Sequence, residues 1–362
     1  MQRLQYHFEP KVGWINDPNG LCYFKGKYHA FFQHNPYEAK HGPMHWGHAV
    51  SEDLITWEEL PIAIYPDQPY ENTGGCFSGS AVVKDDVLYL FYTSVSKELG
   101  QTQSLAISYD GVHFEKYAGN PIISVSPVDP ASKDFRDPKV GKHGDAYYMV
   151  VGAGVDGIGK LLLYTSQDLY NWQYEGIMLE GEEYGPVVEC PDLFPLGNKY
   201  VLMFSKMKVP THATKFWVGD FDGTTFTMES EQIVEAGPSF YAPQTFLDHK
   251  GRRIIIAWMY SWGTPVPEGA TYVGAFTIPR EVLLEENVLK LYPIKEAWPL
   301  LQDAAEQVVL EEDMIRLYDG EKLIHEERVE QVEEMKILKD TQSIEVFLNG
   351  GEKTFSFWYD MP

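Results

Sequence analysis

Residues 51–60, SEDLITWEEL, decide the fold because they return along the chain. Asp53 is followed four residues later by Trp57. The same Asp-x-x-x-aromatic spacing recurs in SYDGVHFEKY (Asp110, Phe114), SQDLYNWQYEG (Asp168, Trp172) and GDFDGTTFTME (Asp222, Phe226). Successive aspartates lie 57, 58 and 54 residues apart. Interleaved with them is a second signature, a polar or acidic cluster followed by strand, turn and strand. It occurs five times: NDPNGLCYFKGKYHAFFQ, FSGSAVVKDDVLYLFYT, FRDPKVGKHGDAYYMVVG, ECPDLFPLGNKYVLMFS and YAPQTFLDHKGRRIIIAWM. With Asp17, Ser78, Asp137, Glu189 and Ala242 as markers, the gaps are 61, 59, 52 and 53. Glycine, proline, tyrosine and tryptophan punctuate short β-rich runs, and nothing before Pro293 reads as a long helix. A period of roughly fifty residues holding four strands is the sequence form of a propeller blade. The fold reads as all-β, a five-bladed propeller.

The first strand of each blade lines the central channel, so one register in every blade points into one funnel. Asp17, Asp137 and Glu189 read as occupying that register in blades one, three and four. Taken alone, NDPNG is a turn, since proline fixes φ, glycine accepts positive φ, and Asp or Asn bonds its own backbone. Three carboxylates on one axis are a different matter. Packing like charges together costs stability and raises at least one pKa, which points to function. Such a cluster serves either metal binding or acid–base and nucleophilic catalysis. Hard cations favour a closely spaced acidic loop, and the sequence has none. Trp14, Trp46, Phe77, Tyr241, Trp258 and Trp262 lie in or beside the inner-strand clusters, where flat apolar faces suit the C–H face of a sugar ring.

Composition agrees with a neutral ligand. The 362 residues carry 53 acidic and 29 basic side chains, a net charge of −24 that repels nucleic acid and anionic membrane surfaces. Hydrophobic residues at 44% exclude a disordered chain. No apolar run approaches a membrane span, and the N-terminus MQRLQYHFEPK lacks the core of a signal peptide, so the expected location is cytoplasmic. Cys22, Cys76 and Cys190 are too scattered for a zinc site or a disulfide framework and read as reduced thiols.

Seven ordered motifs, WINDPNG, FFQHNP, HWGHAVSEDLITW, CFSGSAV, FRDPKV, ECPDLF and FYAPQTF, resemble those of glycoside hydrolase family 32 over roughly Tyr6 to Leu301. That family contains invertases, sucrose-6-phosphate hydrolases, levanases and inulinases. The resemblance implies a five-bladed propeller with a C-terminal β-sandwich and retaining hydrolysis of β-fructofuranosides without metal or other cofactor. By motif position it makes Asp17 the nucleophile, Glu189 the acid/base and Asp137 a transition-state stabiliser. The chemistry of the residues agrees. Retention needs two carboxyl groups about 5–5.5 Å apart, one attacking the anomeric carbon and one protonating the leaving oxygen. Ionised Asp17 and Asp137 nearby would raise the pKa of Glu189 and keep its proton. Trp14, Asn16, Gln33, Ser78, Arg136, Cys190, Tyr241 and Trp262 are the expected substrate contacts, with Trp46 and Phe77 shaping the wall.

Several features read as structural. His41, His45 and His48 in HGPMHWGH lack the partners of a zinc site and read as scaffolding around Trp46. Cys190 reads as a buried thiol beside Glu189 rather than a nucleophile. Residues 180–183 read as a solvated acidic loop. Arg136 and Asp137 are adjacent, and strand alternation would send them to opposite faces. The expected organisation is a catalytic propeller over 1–295, a linker over 296–306 and a short β module over 307–362, with a hairpin in IEVFLNGGEKTFSFW. Family members usually carry a far longer sandwich there. A reduced sheet packed on the propeller, with an unpaired edge favouring a homodimer, is therefore expected. The leading functional reading is a β-fructofuranosidase acting on sucrose and short fructo-oligosaccharides. A sucrose-6-phosphate hydrolase, a fructosyltransferase and an inactive fructan-binding module are alternatives. For the phosphorylated substrate, Lys206, Lys208, His212 and Lys215 are the nearest candidate cations.

Overall fold

The computed structural model describes residues 2–207, 213–260, 262 and 264–359. Up to Pro293 its strands form five consecutive antiparallel sheets, each four strands deep from the inside outward: 13–64, 75–116, 134–181, 188–232 and 241–293. The inner strands are Gly13–Phe24, Gly75–Lys84, Asp134–His143, Val188–Leu196 and Tyr241–Leu247. Each lies against the next, and the fifth lies against the first, so the sheets close a ring. A short strand from the fifth sheet's long connection, Tyr272–Val273, runs parallel to Gly13–Trp14 and ties the two ends of the ring together.

The second strands explain the near-continuous apolar runs. They are covered on both faces, so alternate residues feed neighbouring cores. Leu88, Leu90 and Tyr92 pack towards Phe31 and Trp46 of the first sheet, whereas Tyr89 and Phe91 pack towards Met149 and Val151 of the third. The Asp-x-x-x-aromatic repeat is the turn between third and fourth strands. Asp53 accepts the N–H groups of Ile55 and Thr56, Asp110 those of Val112 and His113, Asp168 those of Tyr170 and Asn171, and Asp222 those of Thr224 and Thr225. Four copies of one local hydrogen-bonding solution thus give the sequence its period.

After the ring, the segment expected to be a linker contains a 3-10 helix, Lys295–Leu300, and a strand, Leu301–Gln302. That strand joins Met335–Lys339, Ser343–Leu348 and Lys353–Trp358 in a four-stranded sheet. Val308–Glu311, Met314–Asp319 and Lys322–Arg328 make a second sheet. The short C-terminal module does pack on the propeller, and the expectation that it is a single reduced sheet is corrected. Ile315 and Leu317 of the three-stranded sheet share a core with Ile337, Ile344, Val346, Leu348 and Phe355 of the other, which makes a small two-sheet sandwich. The hairpin turns at Asn349 and Gly350, both at positive φ.

Ser343–Leu348 is buried along its whole length. Ile344, Val346 and Leu348 face the sandwich core, while Phe347 and Leu338 pack with Ile278 of the propeller and with Ile294 and Ala297 just after it. Each large apolar side chain so covered is worth about 1.5–3 kcal/mol. Deleting residues 302–362 is therefore expected to lower solubility and Tm. Differential scanning calorimetry of the truncated chain checks this, and an unchanged Tm would mean that the contact stabilises nothing.

Candidate active site

Every inner strand is interrupted at its marker. The ladder to the second strand shifts register between Ile15 and Pro18, between Phe77 and Gly79, opposite Val150 and Gly152, between Glu189 and Asp192, and between Tyr241 and Gln244. Such a bulge lets two successive side chains face the same way. In the last three sheets the bulged residue sits at positive φ before a proline: Asp137 at 65°, Cys190 at 47° and Ala242 at 49°. Two expectations are thereby corrected. Glu189 is not in register with Asp17 and Asp137, because Cys190 holds that place and Glu189 matches Arg136 one residue earlier. Arg136 and Asp137 do not face opposite ways, because the bulge cancels strand alternation.

The three carboxylates, borne by three different sheets, are joined through short contacts. Asp17 Oδ2 accepts from Ser78 Oγ at 2.6 Å, and Asp17 Oδ1 accepts from Asn16 Nδ2 at 2.9 Å, whose own Oδ1 accepts the Trp14 indole N–H at 2.7 Å. Asp137 Oδ2 accepts the Cys190 backbone N–H at 2.9 Å. The Cys190 thiol lies between the two aspartates, 3.4 Å from Asp17 Oδ2 and 3.5 Å from Asp137 Oδ2. On the far side, Glu189 Oε1 accepts from Arg136 Nε at 3.1 Å and Nη2 at 2.8 Å, and Glu189 Oε2 accepts the Tyr241 hydroxyl. Arg136 is held from behind by Asp134 Oδ1 at 2.6 Å and Gln101 Oε1 at 3.2 Å.

Burial is the main cause of the site's electrostatics. It raises the Asp17 carboxyl, the hydrogen bonds from Ser78 and Asn16 pull the other way, and the Glu189 charge adds to the rise. Burial pushes Asp137 up to about 7, with Arg136 opposing and the Glu189 and Asp17 charges reinforcing. Burial and the surrounding acids push the Cys190 thiol well up, so it stays protonated as a donor and is no nucleophile. A carboxyl whose folded pKa is raised opposes folding once pH exceeds its unfolded value of 3.8, and the cost is complete above about 7. Asp137→Asn is therefore expected to raise Tm at pH 8 while lowering activity, and thermal scans at pH 4 and pH 8 should differ in this respect.

Aromatic rings form the mouth. Trp14 and the half-exposed Trp262 stack at 5.7 Å and 26°, and His41 meets Trp14, Trp262 and Phe77 edge-on at 6.4, 5.4 and 6.5 Å. Trp46 is a correction. It is wholly buried behind the wall, donating its indole N–H to Phe77 O at 2.9 Å, because its strand sits inside the core between the first two sheets. Trp258 is likewise fully buried. Gln33 is 2% exposed and donates to Cys76 O at 3.0 Å. His48 stacks on Phe31 at 4.3 Å, and His45 bonds Pro43 O at 3.1 Å. Of the four candidate cations, Lys208 and His212 lie outside the described residues. Lys215 pairs with Glu231, and Lys206 donates to Glu183 O. His41, expected to scaffold Trp46, instead packs against Trp14, Trp262 and Phe77 in the mouth, and Gln101 and Asp134 are site neighbours that the sequence does not single out. The alternation of Gln101 and Gln103 in a covered strand was the available signal for the glutamines.

Carboxyl groups gathered from separate sheets beside an aromatic mouth are the groups that glycoside hydrolysis uses. The chain belongs to glycosyl hydrolase family 32, whose N-terminal domain its residues 7–293 match. Among curated relatives it is 39% identical to the raffinose invertase of Escherichia coli over 80% of this chain and 64% of that protein. It is 37% identical to a sucrose-6-phosphate hydrolase of Zymomonas mobilis over 87% of this chain and 65% of that one. The chain thus spans just under two thirds of these relatives. The GH32 β-fructofuranosidase of Bombyx mori superposes with a TM-score of 0.86 at 31% identity, over 99% of this chain and 89% of the other.

Proposed function

We propose that the chain is a retaining β-fructofuranosidase that hydrolyses sucrose and short β-fructo-oligosaccharides by double displacement. The observation that carries this reading is the joining of Asp17, Asp137 and Glu189 around one pocket with different partners. Asp17 receives hydrogen bonds from Ser78 and Asn16, which favour its ionised, attacking form. Glu189 is oriented by Arg136 and Tyr241, on the opposite side of the Cys190 thiol. In the first step the Asp17 carboxylate attacks the anomeric carbon of the fructosyl unit while Glu189 protonates the leaving oxygen. In the second, Glu189 takes a proton from water, which displaces Asp17 with net retention. Asp137 accepts hydrogen bonds from fructose hydroxyls as positive charge develops on the ring.

A variant of the Bombyx mori enzyme has been solved in complex with sucrose, which supports that substrate class here. A second reading, hydrolysis of sucrose-6-phosphate, rests on relatives so named. Comparing kcat/KM on sucrose, sucrose-6-phosphate, 1-kestose and inulin tests both. Preference for sucrose and kestose is expected, and a strong preference for the phosphorylated sugar would replace this reading with the second.

A further inference from the structure

We propose that Thr93 and Gln103, on the second and third strands of the second sheet, are positioning residues of the reaction. They hold the third sheet's inner strand from Phe135 into the bulge at Asp137 so that the Asp137 carboxylate and the Arg136 guanidinium both face the sugar. The inference rests on the proposed role of Asp137.

The bulge removes ladder partners just where two functional side chains must diverge from strand alternation. Thr93 of the neighbouring sheet bonds Asp137 in the gap, and Gln101 and Gln103 bond Phe135 just before it, which keeps its own ladder pairing with Ala153. Gln103 Nε2 donates to Phe135 O at 2.9 Å, which fixes the amide orientation and turns Gln103 Oε1 towards Thr93. The Thr93 hydroxyl donates to that oxygen at 2.8 Å, so its lone pair is left to accept the Asp137 N–H at 2.9 Å. Phe135 C=O and Asp137 N–H are thus tied together through one closed chain. Both intermediaries have zero exposure. Gln101, two residues before Gln103, accepts the Phe135 N–H at 2.8 Å and one N–H of Arg136 at 3.2 Å. A polar network enclosed in this way holds a single geometry only while every member is satisfied.

Comparison among the sheets supports a positioning role over simple filling of a core. Thr93 stands opposite Phe77, Ser205 opposite Glu189 and Gly152 opposite Arg136, three equivalent places on second strands. Ser205 does for the fifth sheet what Thr93 does for the third, accepting the Ala242 N–H at 3.0 Å. At Gly152 there is no side chain, and a Cβ there would come within 2.1 Å of Val188 O. The N–H that a hydroxyl would have taken, that of Cys190, goes to the Asp137 carboxylate instead. Asp137 is therefore gripped at its backbone by Thr93 and at its carboxylate by Cys190.

A double-mutant cycle on the full chain tests the proposal, with kcat on sucrose and Tm both recorded. Thr93→Val keeps the shape and deletes the hydroxyl. It is expected to lower kcat on the order of tenfold, and Thr93→Ser to restore most of it. In an Asp137→Asn background, Thr93→Val is expected to remove less than about twofold more, because the residue it acts through is already disabled. If Thr93→Val gives no folded protein, Gln103→Met is read in the same cycle with the same expectation. Full additivity of the two losses overturns the relay but leaves the role of Asp137 standing. An Asp137→Asn variant with unchanged kcat overturns both.

Discussion

Asp17→Ala is expected to abolish turnover, with kcat/KM on sucrose falling on the order of 10^4-fold or more, as for removal of other covalent nucleophiles. The fall should come without loss of fold, because Asp17 is bonded mainly to the small donors Ser78, Asn16 and Cys190, which can rebond to water in the opened pocket. Glu189→Gln should behave differently. It removes the proton needed by a poor leaving group, so sucrose should suffer far more than an aryl fructoside with an activated leaving group. Equal losses on both substrates would mean that Glu189 is not the acid.

The second large effect lies away from the site. Arg280 is fully buried where propeller meets sandwich, paired with Glu235 Oε2 at 2.6 Å and with Glu345, and bonded to Thr354 and Ser356 at 3.1 and 2.5 Å. Glu345 also contacts His7 Nε2 at 2.7 Å, and His7 Nδ1 contacts Asp340 Oδ2 at 2.8 Å. Removing the arginine leaves the buried Glu235 without its cation and Glu345 with His7 alone, which costs about 3–5 kcal/mol. Arg280→Met should therefore lower Tm sharply, and urea unfolding measures the size. The same cluster sets a pH dependence. Burial disfavours the His7 imidazolium, but hydrogen bonds to Asp340 and Glu345 outweigh it and raise the pKa from 6.5 to about 9. A raised histidine stabilises fully below 6.5 and loses that contribution as pH climbs through 9. Burial alone would raise Asp340, yet bonding to His7 holds it below its ordinary 3.8, so its contribution is present above that value and fades in acid. Tm should fall between pH 6.5 and 9, and His7→Leu should remove that slope.

Much of this was legible in the sequence because the fold is periodic. Asp53, Asp110, Asp168 and Asp222 repeat one turn, and the five inner hairpins repeat one strand pair, so the all-β propeller and the candidate acids followed from spacing and motif. What was not legible depends on departures from periodicity. Glu189 reads as holding the register of Cys190, since a bulge of one residue has no signature beyond the proline that follows it. Trp46 reads as a wall residue because aromatic residues look alike in sequence whether they line a funnel or fill the layer behind it. Whether the short C-terminal module closes as two sheets does not show in the sequence, because Val308–Glu311 and Met314–Asp319 are short strands of four and six residues. Arg280 and His7 stand 65 and 338 residues from Glu345, so no local pattern could pair them.

Double displacement requires Asp17 to form a covalent bond to the sugar. Mass spectrometry of the Glu189→Gln variant, quenched during reaction with an activated aryl fructoside and then digested, tests it most directly. That substrate needs no acid to enter the intermediate, while the missing base slows its hydrolysis, so the intermediate should accumulate. One fructosyl unit is expected on the peptide containing Asp17. Burst release of the aryl group with the fructosyl unit on Asp137, or steady turnover with no adduct on any peptide, would contradict it.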